Sequence, residues 1–242
     1  RHQKVLELAP APNFPPKLRD ELCDAAVRFS RGVGYRNAGT VEFLVSGGDY
    51  YFIEMNPRLQ VEHTVTEEIT GVDIVASQIR VAMGKSLPEL GIAQKSITTR
   101  GFAIQCRITT ENPENRFLPD YGRLISYRSP GGFGVRLDAG SAFPGAYITP
   151  YYDSLLVKLT TRGSDLGEAA DRSLRALGEF RVRGVETNIG FLKKVLDHPT
   201  FRAGQCDTHF IAETPELLKL EADKGVGTRL LQYLGDVTIN GK

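Results

Sequence analysis

Residues 50–63 read Tyr-Tyr-Phe-Ile-Glu-Met-Asn-Pro-Arg-Leu-Gln-Val-Glu-His, and from residue 53 polar and apolar positions alternate. Glu54, Asn56, Arg58, Gln60 and Glu62 fall on one side at a period of two, and Ile53, Met55, Pro57, Leu59 and Val61 fall on the other. In an extended chain successive side chains point to opposite faces, so one face packs while the other displays a row of hydrogen-bonding groups. At roughly 3.3 Å per residue, Glu54 and Glu62 stand about 26 Å apart if the ribbon is straight. They share no ion unless the chain bends, and Pro57, which cannot donate to a ladder, is where irregularity is expected. The expectation is two sub-sites: a metal end at Glu54 and Asn56, and an anion end at Arg58, Gln60 and Glu62.

The ribbon has a predicted partner. Residues 40–45 alternate and lead into Ser46-Gly-Gly-Asp49, a hairpin turn signal, so Glu42 on one arm is expected to face Glu54 on the other. Upstream, residues 1–7 read as a strand with His2 and Lys4 on one face, and the proline-rich residues 9–16 read as a linker. A helix is predicted from Pro16, with Leu18, Leu22, Ala25, Ala26 and Phe29 as its apolar stripe and Gly32 and Gly34 at its end. Downstream, Thr64 and Glu67 have capping-box spacing, and Ile69, Val72, Ala76, Ile79 and Met83 suggest one amphipathic helix closed by Gly84. A domain boundary is placed in residues 86–96. Short strands follow at 100–108, 122–127, 134–137 and 153–160, then helices at 166–180, 187–196, 215–224 and 228–234, with strand-like residues at 236–242.

With 242 residues the chain can bury a substantial core, as one large or two small domains. A net charge of +1 gives no electrostatic case for nucleic acid or an anionic membrane as partner. The three cysteines (Cys23, Cys106 and Cys206) are widely spaced with no CxxC, which suits free thiols in the cytoplasm or, in a eukaryote, the mitochondrial matrix. No apolar run approaches a membrane span and no signal peptide opens the chain, which looks like a segment cut from a longer polypeptide.

Glu42, Glu54 and Asn56 offer hard oxygen ligands of the kind Mg²⁺ or Mn²⁺ takes beside nucleotide phosphates. A lone Glu-x-Glu pair is more often a solvated hairpin face, but the adjoining Arg58-Leu-Gln-Val-Glu62 favours a site. Arg58 carries a fork of donors for a small planar oxyanion, Gln60 adds a donor, and Glu62 is either a general base or an ion-pair partner of Arg58. Arg107 is a structural ion-pair partner or a group steadying a developing oxyanion. His2 and Lys4 either contact an anion or are solvated. Residues 129–134 read as a plain turn rather than a phosphate loop, and no nucleophilic triad has a local signature.

Residues 54–71, Glu-Met-Asn-Pro-Arg-Leu-Gln-Val-Glu-His-Thr-Val-Thr-Glu-Glu-Ile-Thr-Gly, closely resemble the signature of biotin carboxylase, an ATP-grasp ligase. Arg1-His-Gln-Lys4, Gly39-Thr-Val-Glu42, Gln105-Cys-Arg107 and Pro150-Tyr-Tyr-Asp-Ser154 are similar to that family in its order and approximate spacing. Within it, residues 180–189 and the tail 231–241 resemble the pyruvate carboxylases more than the acetyl-CoA and propionyl-CoA carboxylase subunits. The resemblance implies an α+β fold: the C-terminal half of an ATP-grasp domain (1–98), the biotin carboxylase C-terminal domain of mostly antiparallel sheet with helices (99–212), and a linker (213–242).

By the same resemblance, Glu42, Glu54 and Asn56 match the ligands of the Mg²⁺ or Mn²⁺ that holds ATP, and His2 with Glu42 and Glu54 matches the nucleotide side. Lys4, Arg58, Gln60 and the Val61 backbone match the bicarbonate pocket. Glu62 matches the base that deprotonates bicarbonate for attack on the γ-phosphate, Arg107 the residue that stabilises the biotin enolate, and Tyr152 and Asp153 the biotin side. The family's lid, upstream nucleotide lysine and N-terminal domain have no counterpart in the chain, and neither Met55 nor Met83 sits in a Met-Lys-Met site. Biotin is therefore expected on another domain, the segment alone is expected to bind ATP poorly and not turn over, and a homo-tetramer is implied. Three other readings stay open: an acyl-CoA carboxylase, another ATP-grasp ligase such as a carbamoyl-phosphate synthetase, and a noncatalytic assembly module.

Overall fold

The computed structural model describes residues 4–140, 142–220 and 226–241. Strand β1 (Leu6–Ala9) and helix α1 (Pro16–Gly32) precede the hairpin of β2 (Thr40–Ser46) and β3 (Asp49–Asn56) and two short helices, α2 (His63–Thr70) and α3 (Ile74–Ala82). Next come β4 (Phe102–Thr109), the small strands β5 (Glu111–Asn112), β6 (Leu118–Pro119), β7 (Gly122–Arg123) and β8 (Ser126–Arg128), then β9 (Val135–Ala139), β10 (Tyr147–Ile148) and β11 (Leu155–Gly163). Helix α4 (Leu166–Glu179), β12 (Arg181–Arg183), α5 (Ile189–Asp197), the single turns α6 (Pro199–Arg202) and α7 (Phe210–Glu213), and α8 (Val226–Asn240) complete the order. This is the expected α+β architecture. No helix among the described residues is long and apolar enough to cross a membrane.

The main sheet runs β1-β4-β11-β9, all antiparallel, so the first strand of the chain belongs to the sheet of its second half. Directly opposed residues share a face, and the alternation along each strand separates two faces of opposite character. Ile104, Cys106 and Ile108 of β4 and Val157 and Leu159 of β11 are buried in the core with Ala169, Ala170 and Leu177 of α4 and with Phe191 and Leu192 of α5. On the other face, one row joins Glu7, Gln105, Thr160 and Arg136, and the next joins Arg107, Lys158 and Asp138. Helix α2 covers that polar face, with Val65 and Ile69 packed on Ala103.

Thr64 rivets the helix to it. This side chain does not cap α2, as its spacing suggested; the N-cap is Glu62, which makes no side-chain cap bond. Instead the fully buried Thr64 hydroxyl meets Gln105 Oε1 and, at 2.7 Å, Thr160 Oγ1. Gln105 Nε2 passes the chain of bonds on to Glu7 Oε2 at 2.8 Å. Thr64→Val keeps the shape and strands buried polar partners. It is expected to cost about 1–3 kcal/mol, read as a lower urea midpoint.

The single helix expected over residues 64–83 is two. Gly71 at φ +71° ends α2, and Asp73 restarts the chain as the cap of α3, its Oδ1 accepting from Ala76 N at 2.7 Å. The hairpin's second arm, expected over residues 50–55, spans Asp49–Asn56, and the irregularity expected at Pro57 is there. β3 stops at Asn56, where Arg58 N donates to the Asn56 carbonyl at 2.8 Å, a tight bend around Pro57. Residues 122–127 split into β7 and β8, which pair with different partners, β10 and β12. The helix expected from Pro215 is a 3-10 turn to Leu218, its remainder falling partly outside the described residues. The tail read as strand-like is helical in α8 up to Asn240.

Candidate active site

The hairpin turn at Gly47 and Gly48, both at positive φ, sets the register as far as Phe43 opposite Phe52, and a one-residue bulge next to that pair brings Glu42 opposite Glu54 rather than Ile53. Asn56 Nδ2 bridges them, donating to Glu42 Oε1 at 3.1 Å and to Glu54 Oε1 at 2.9 Å. The bend at Pro57 then swings the rest of the polar row back towards β2, so that Gln60 Nε2 reaches the same Glu42 Oε1 at 2.8 Å. Lys4 Nζ arrives from the opposite end of the sequence at 3.1 Å. Glu42 is thus a hub for Lys4, Asn56 and Gln60. The hydrogen bond from Gln60, then that from Lys4, holds its carboxyl below the usual range. The metal end and anion end, expected to be separate, meet at one carboxylate.

That lowered value has a sign that can be checked. Because the folded pKa of Glu42 lies below the ordinary 4.5, its contribution is present above pH 4.5 and is lost as pH falls through the folded value. The Gln60 side-chain amide resonances are therefore expected to shift only below pH 4.5, in step with the Glu42 carboxyl carbon, in an NMR titration.

Glu62 pairs with Arg107 rather than Arg58. Arg107 Nη2 donates to Glu62 Oε2 at 2.9 Å and also meets Glu7 Oε1, while Arg58 Nη1 donates to the neighbouring Leu59 carbonyl at 3.2 Å. Arg107 is thus an ion-pair partner, and the carboxylate it holds is the one the resemblance gives as the base. Glu7 was not singled out from the sequence. Burial pushes its carboxyl up from the ordinary value, against the opposing pull of Arg107 and Gln105. A cavity of about 610 Å³ opens here, lined among others by Glu7, Thr40, Arg58, Gln60, Glu62 and His63. Gln60 Oε1 and Arg107 Nε are buried without a hydrogen-bond partner among the described residues, which a bound polar ligand or water would satisfy.

The Val61 carbonyl accepts from Lys158 Nζ at 3.4 Å. Tyr152 is 84% exposed, and Asp153 Oδ1 accepts from Leu155 N at 3.1 Å just ahead of β11. Neither shares a hydrogen bond or ion pair with Arg107 among the described residues. His2 lies outside the described residues. Cys23, Cys106 and Cys206 are all free, Cys106 buried in the core.

The donor set is compatible with a divalent ion. Glu42 and Glu54 are aimed at one point, now held by the Asn56 amide, whose oxygen is the harder of its two ends. Among the described residues no three His, Cys, Asp or Glu side chains gather, so Asn56 and oxygens from water or phosphate would have to complete the shell. The missed members of the site (Glu7, Lys158, Thr64, and Glu67 paired with Arg136 at 2.6 Å) all sit at the interface between α2, its preceding turn and the polar sheet face. The only sequence signal of Glu7 and Lys158 is a polar residue at an alternate position of an otherwise apolar strand, while the capping-box spacing of Thr64 and Glu67 pointed to a different role.

Residues 105–213 match the biotin carboxylase C-terminal domain, and residues 1–90 match the carbamoyl-phosphate synthase L chain, ATP binding domain. The chain belongs to the biotin carboxylase family, and carries the end of an ATP-grasp domain followed by that C-terminal domain. It is similar along its whole length to pyruvate carboxylases: 57% identical to that of Bacillus subtilis and 58% to that of Aspergillus terreus. The chain spans 20–21% of the length of these relatives. Among solved structures, the complete multifunctional pyruvate carboxylase from Rhizobium etli matches with a TM-score of 0.88 at 49% identity, over 99% of this chain and 24% of that one. The biotin carboxylase domain dimer of Hydrogenobacter thermophilus 2-oxoglutarate carboxylase, in complex with MgADP, ADP and bicarbonate, matches with a TM-score of 0.86 at 41% identity, over 91% and 48%.

Proposed function

We propose that this chain supplies the bicarbonate-side wall of a biotin carboxylase active site, in a full-length protein that carboxylates pyruvate to oxaloacetate at the expense of ATP. The observation that carries this reading is the junction of two clusters. Lys4, Asn56 and Gln60 converge on Glu42, and Glu62 lies next to them, held by Arg107. One cluster suits a cation and phosphate, the other a small oxyanion and a proton transfer.

In this reading Lys4, Arg58, Gln60 and the Val61 backbone hold bicarbonate by charge and hydrogen bonds. Glu62 takes the proton from bicarbonate, whose oxygen attacks the γ-phosphate of ATP, releasing ADP and forming carboxyphosphate. Carboxyphosphate then breaks down to CO₂ and phosphate. Glu42, Glu54 and Asn56 hold the divalent ion (Mg²⁺ or Mn²⁺) and His2 sits at the nucleotide. The ion, when bound, neutralises phosphate charge. Biotin, brought in on a carrier domain, would be the acceptor, its ureido proton passing to the released phosphate as its nitrogen takes the CO₂. Arg107 faces the negative charge that develops there, and Tyr152 and Asp153 line that side. Similarity to pyruvate carboxylases favours this acceptor over an acyl-CoA. It also supports a homo-oligomer, a tetramer in this reading, placed in the cytoplasm or the mitochondrial matrix.

The proposed division is 1–98, 99–212 and 213–242. One matched family ends at residue 90 and the other begins at residue 105, on either side of this first boundary, although β1 crosses into the second part's sheet. ATP cleavage by the full-length protein that requires bicarbonate and is stimulated by free biotin is the expected result. Cleavage driven instead by ammonia or glutamine would favour a carbamoyl-phosphate ligase. Glu42→Gln is expected to raise the metal concentration for half-activity by about tenfold, because one carboxylate ligand is lost.

A further inference from the structure

The polar sheet face carries two cations with no part in the chemistry above: Arg136, which is paired with Glu67 and Asp138, and Lys158. Lys158 on β11 lies directly across from Arg107 on β4 and from Asp138 on β9. It is half-buried, and burial lowers its pKa; Asp138 and Glu67 oppose that shift, while Arg136 and Arg107 add to it. A half-buried cation beside two arginines is unfavourable compared with an apolar side chain of the same size. The neighbouring positions on the strand, Val157 and Leu159, are apolar. What Lys158 does make is a hydrogen bond to the Val61 carbonyl, in the turn between the hairpin and α2.

That bond has a defined consequence. A trans peptide is planar, so holding the Val61 carbonyl also holds the Glu62 N–H and the direction in which the Glu62 side chain leaves the backbone. Arg107, the cross-strand neighbour of Lys158, holds the carboxylate of the same Glu62 at 2.9 Å. Two adjacent cations on one sheet face thus grip the backbone before Glu62 and its side-chain end. Thr64 and Glu67 fasten the helix that follows to the same face, through Gln105, Thr160 and Arg136.

We propose that Lys158 is a positioning residue for the bicarbonate step: it sets the Val61–Glu62 peptide plane, and with it the aim of the groups that receive bicarbonate. The inference rests on the roles given to Val61 and Glu62 under the proposed function. Its test is steady-state kinetics of ATP cleavage by the full-length protein with free biotin. For K158M the KM for bicarbonate is expected to rise about tenfold while the KM for ATP stays within about twofold, since a small misplacement acts on the misplaced subsite. K158R, whose guanidinium can reach the same carbonyl, is expected to return the bicarbonate KM to within about threefold of the parent. A bicarbonate KM unchanged in K158M, an equal rise for ATP, or no recovery in K158R would overturn the proposal. If K158M does not accumulate as folded protein, K158Q takes its place, and a wild-type bicarbonate KM there overturns it equally. Absence of bicarbonate-dependent cleavage in the unsubstituted protein would instead reject the functional reading itself.

Discussion

Glu62→Gln in the full-length protein is expected to lower the rate of bicarbonate-dependent ATP cleavage by about 10²–10⁴-fold, the range a positioned general base contributes. The substitution is chosen because it spares the geometry. Glu62 Oε2 accepts from Arg107 Nη2 at 2.9 Å, and a glutamine carbonyl oxygen can accept that bond with the same reach. Neighbouring contacts, the Lys158 bond to the Val61 carbonyl among them, do not involve the Glu62 side chain. What disappears is the capacity to take a proton. A loss in kcat with little change in thermal midpoint is therefore the expected signature. Activity within about threefold of the parent would assign Glu62 to structure alone and favour the reading of this segment as an assembly module.

Arg107→Ala is expected to damage both activity and stability, for separable reasons. Its guanidinium is shared between Glu7 and Glu62, and the side chains of Arg107 and Glu7 are only 17% and 14% exposed. Removing one partner of such a pair leaves a carboxylate buried without its counter-charge, a cost of about 3–5 kcal/mol. The pH dependence identifies the carboxylate responsible. Burial already raises the Glu7 pKa in the fold, and Arg107 is the main group opposing that rise. Without Arg107 the folded state holds its proton more tightly than the unfolded chain does. Stability of the variant should therefore fall as pH rises from about 4.5 through the folded pKa of Glu7, and the deficit should be smallest in acid. The double variant Glu7→Gln/Arg107→Ala removes the stranded charge. It is expected to regain most of the lost stability and none of the activity, which should stay about 10²–10³-fold down if Arg107 meets charge developing in the reaction. Recovery of activity in the double variant would show Arg107 to be a packing residue only.

The hairpin shows what a local pattern can specify. Alternation on both arms and two glycines in the turn start the hairpin in register, and Glu42 stands opposite Glu54, as expected, through a bulge that shifts the pairing by one residue beyond Phe43 and Phe52. Helices α1 and α4 were legible for the same reason, since an apolar stripe at helical spacing and a proline (α1) or a capping aspartate (α4) at the start are local information. Beyond Asn56 the sequence marks the irregularity at Pro57, as expected, but hides the direction of the turn. A period of two continues through Glu62, yet Pro57 ends the ladder and the chain turns back, because Gln60 finds a partner in Glu42 across the bend. The helix after it misled, since an apolar stripe that runs past Gly71 hid the stop at that residue.

The sequence by itself determined the fold class and the family, and it supplied the candidates for the site: the acidic pair, Asn56, Arg58, Gln60, Glu62 and Arg107. Only the tertiary structure decided which of them touch. Glu62 belongs to Arg107 and not Arg58, Glu7 shares that arginine, and Lys158 holds the Val61 carbonyl, because β1, β4 and β11 lie side by side in one sheet. The physical reason is range. Periodicity records which face a residue takes on its own strand, whereas strand order is set by the collective burial of segments far apart in the chain, and no single stretch of residues encodes it.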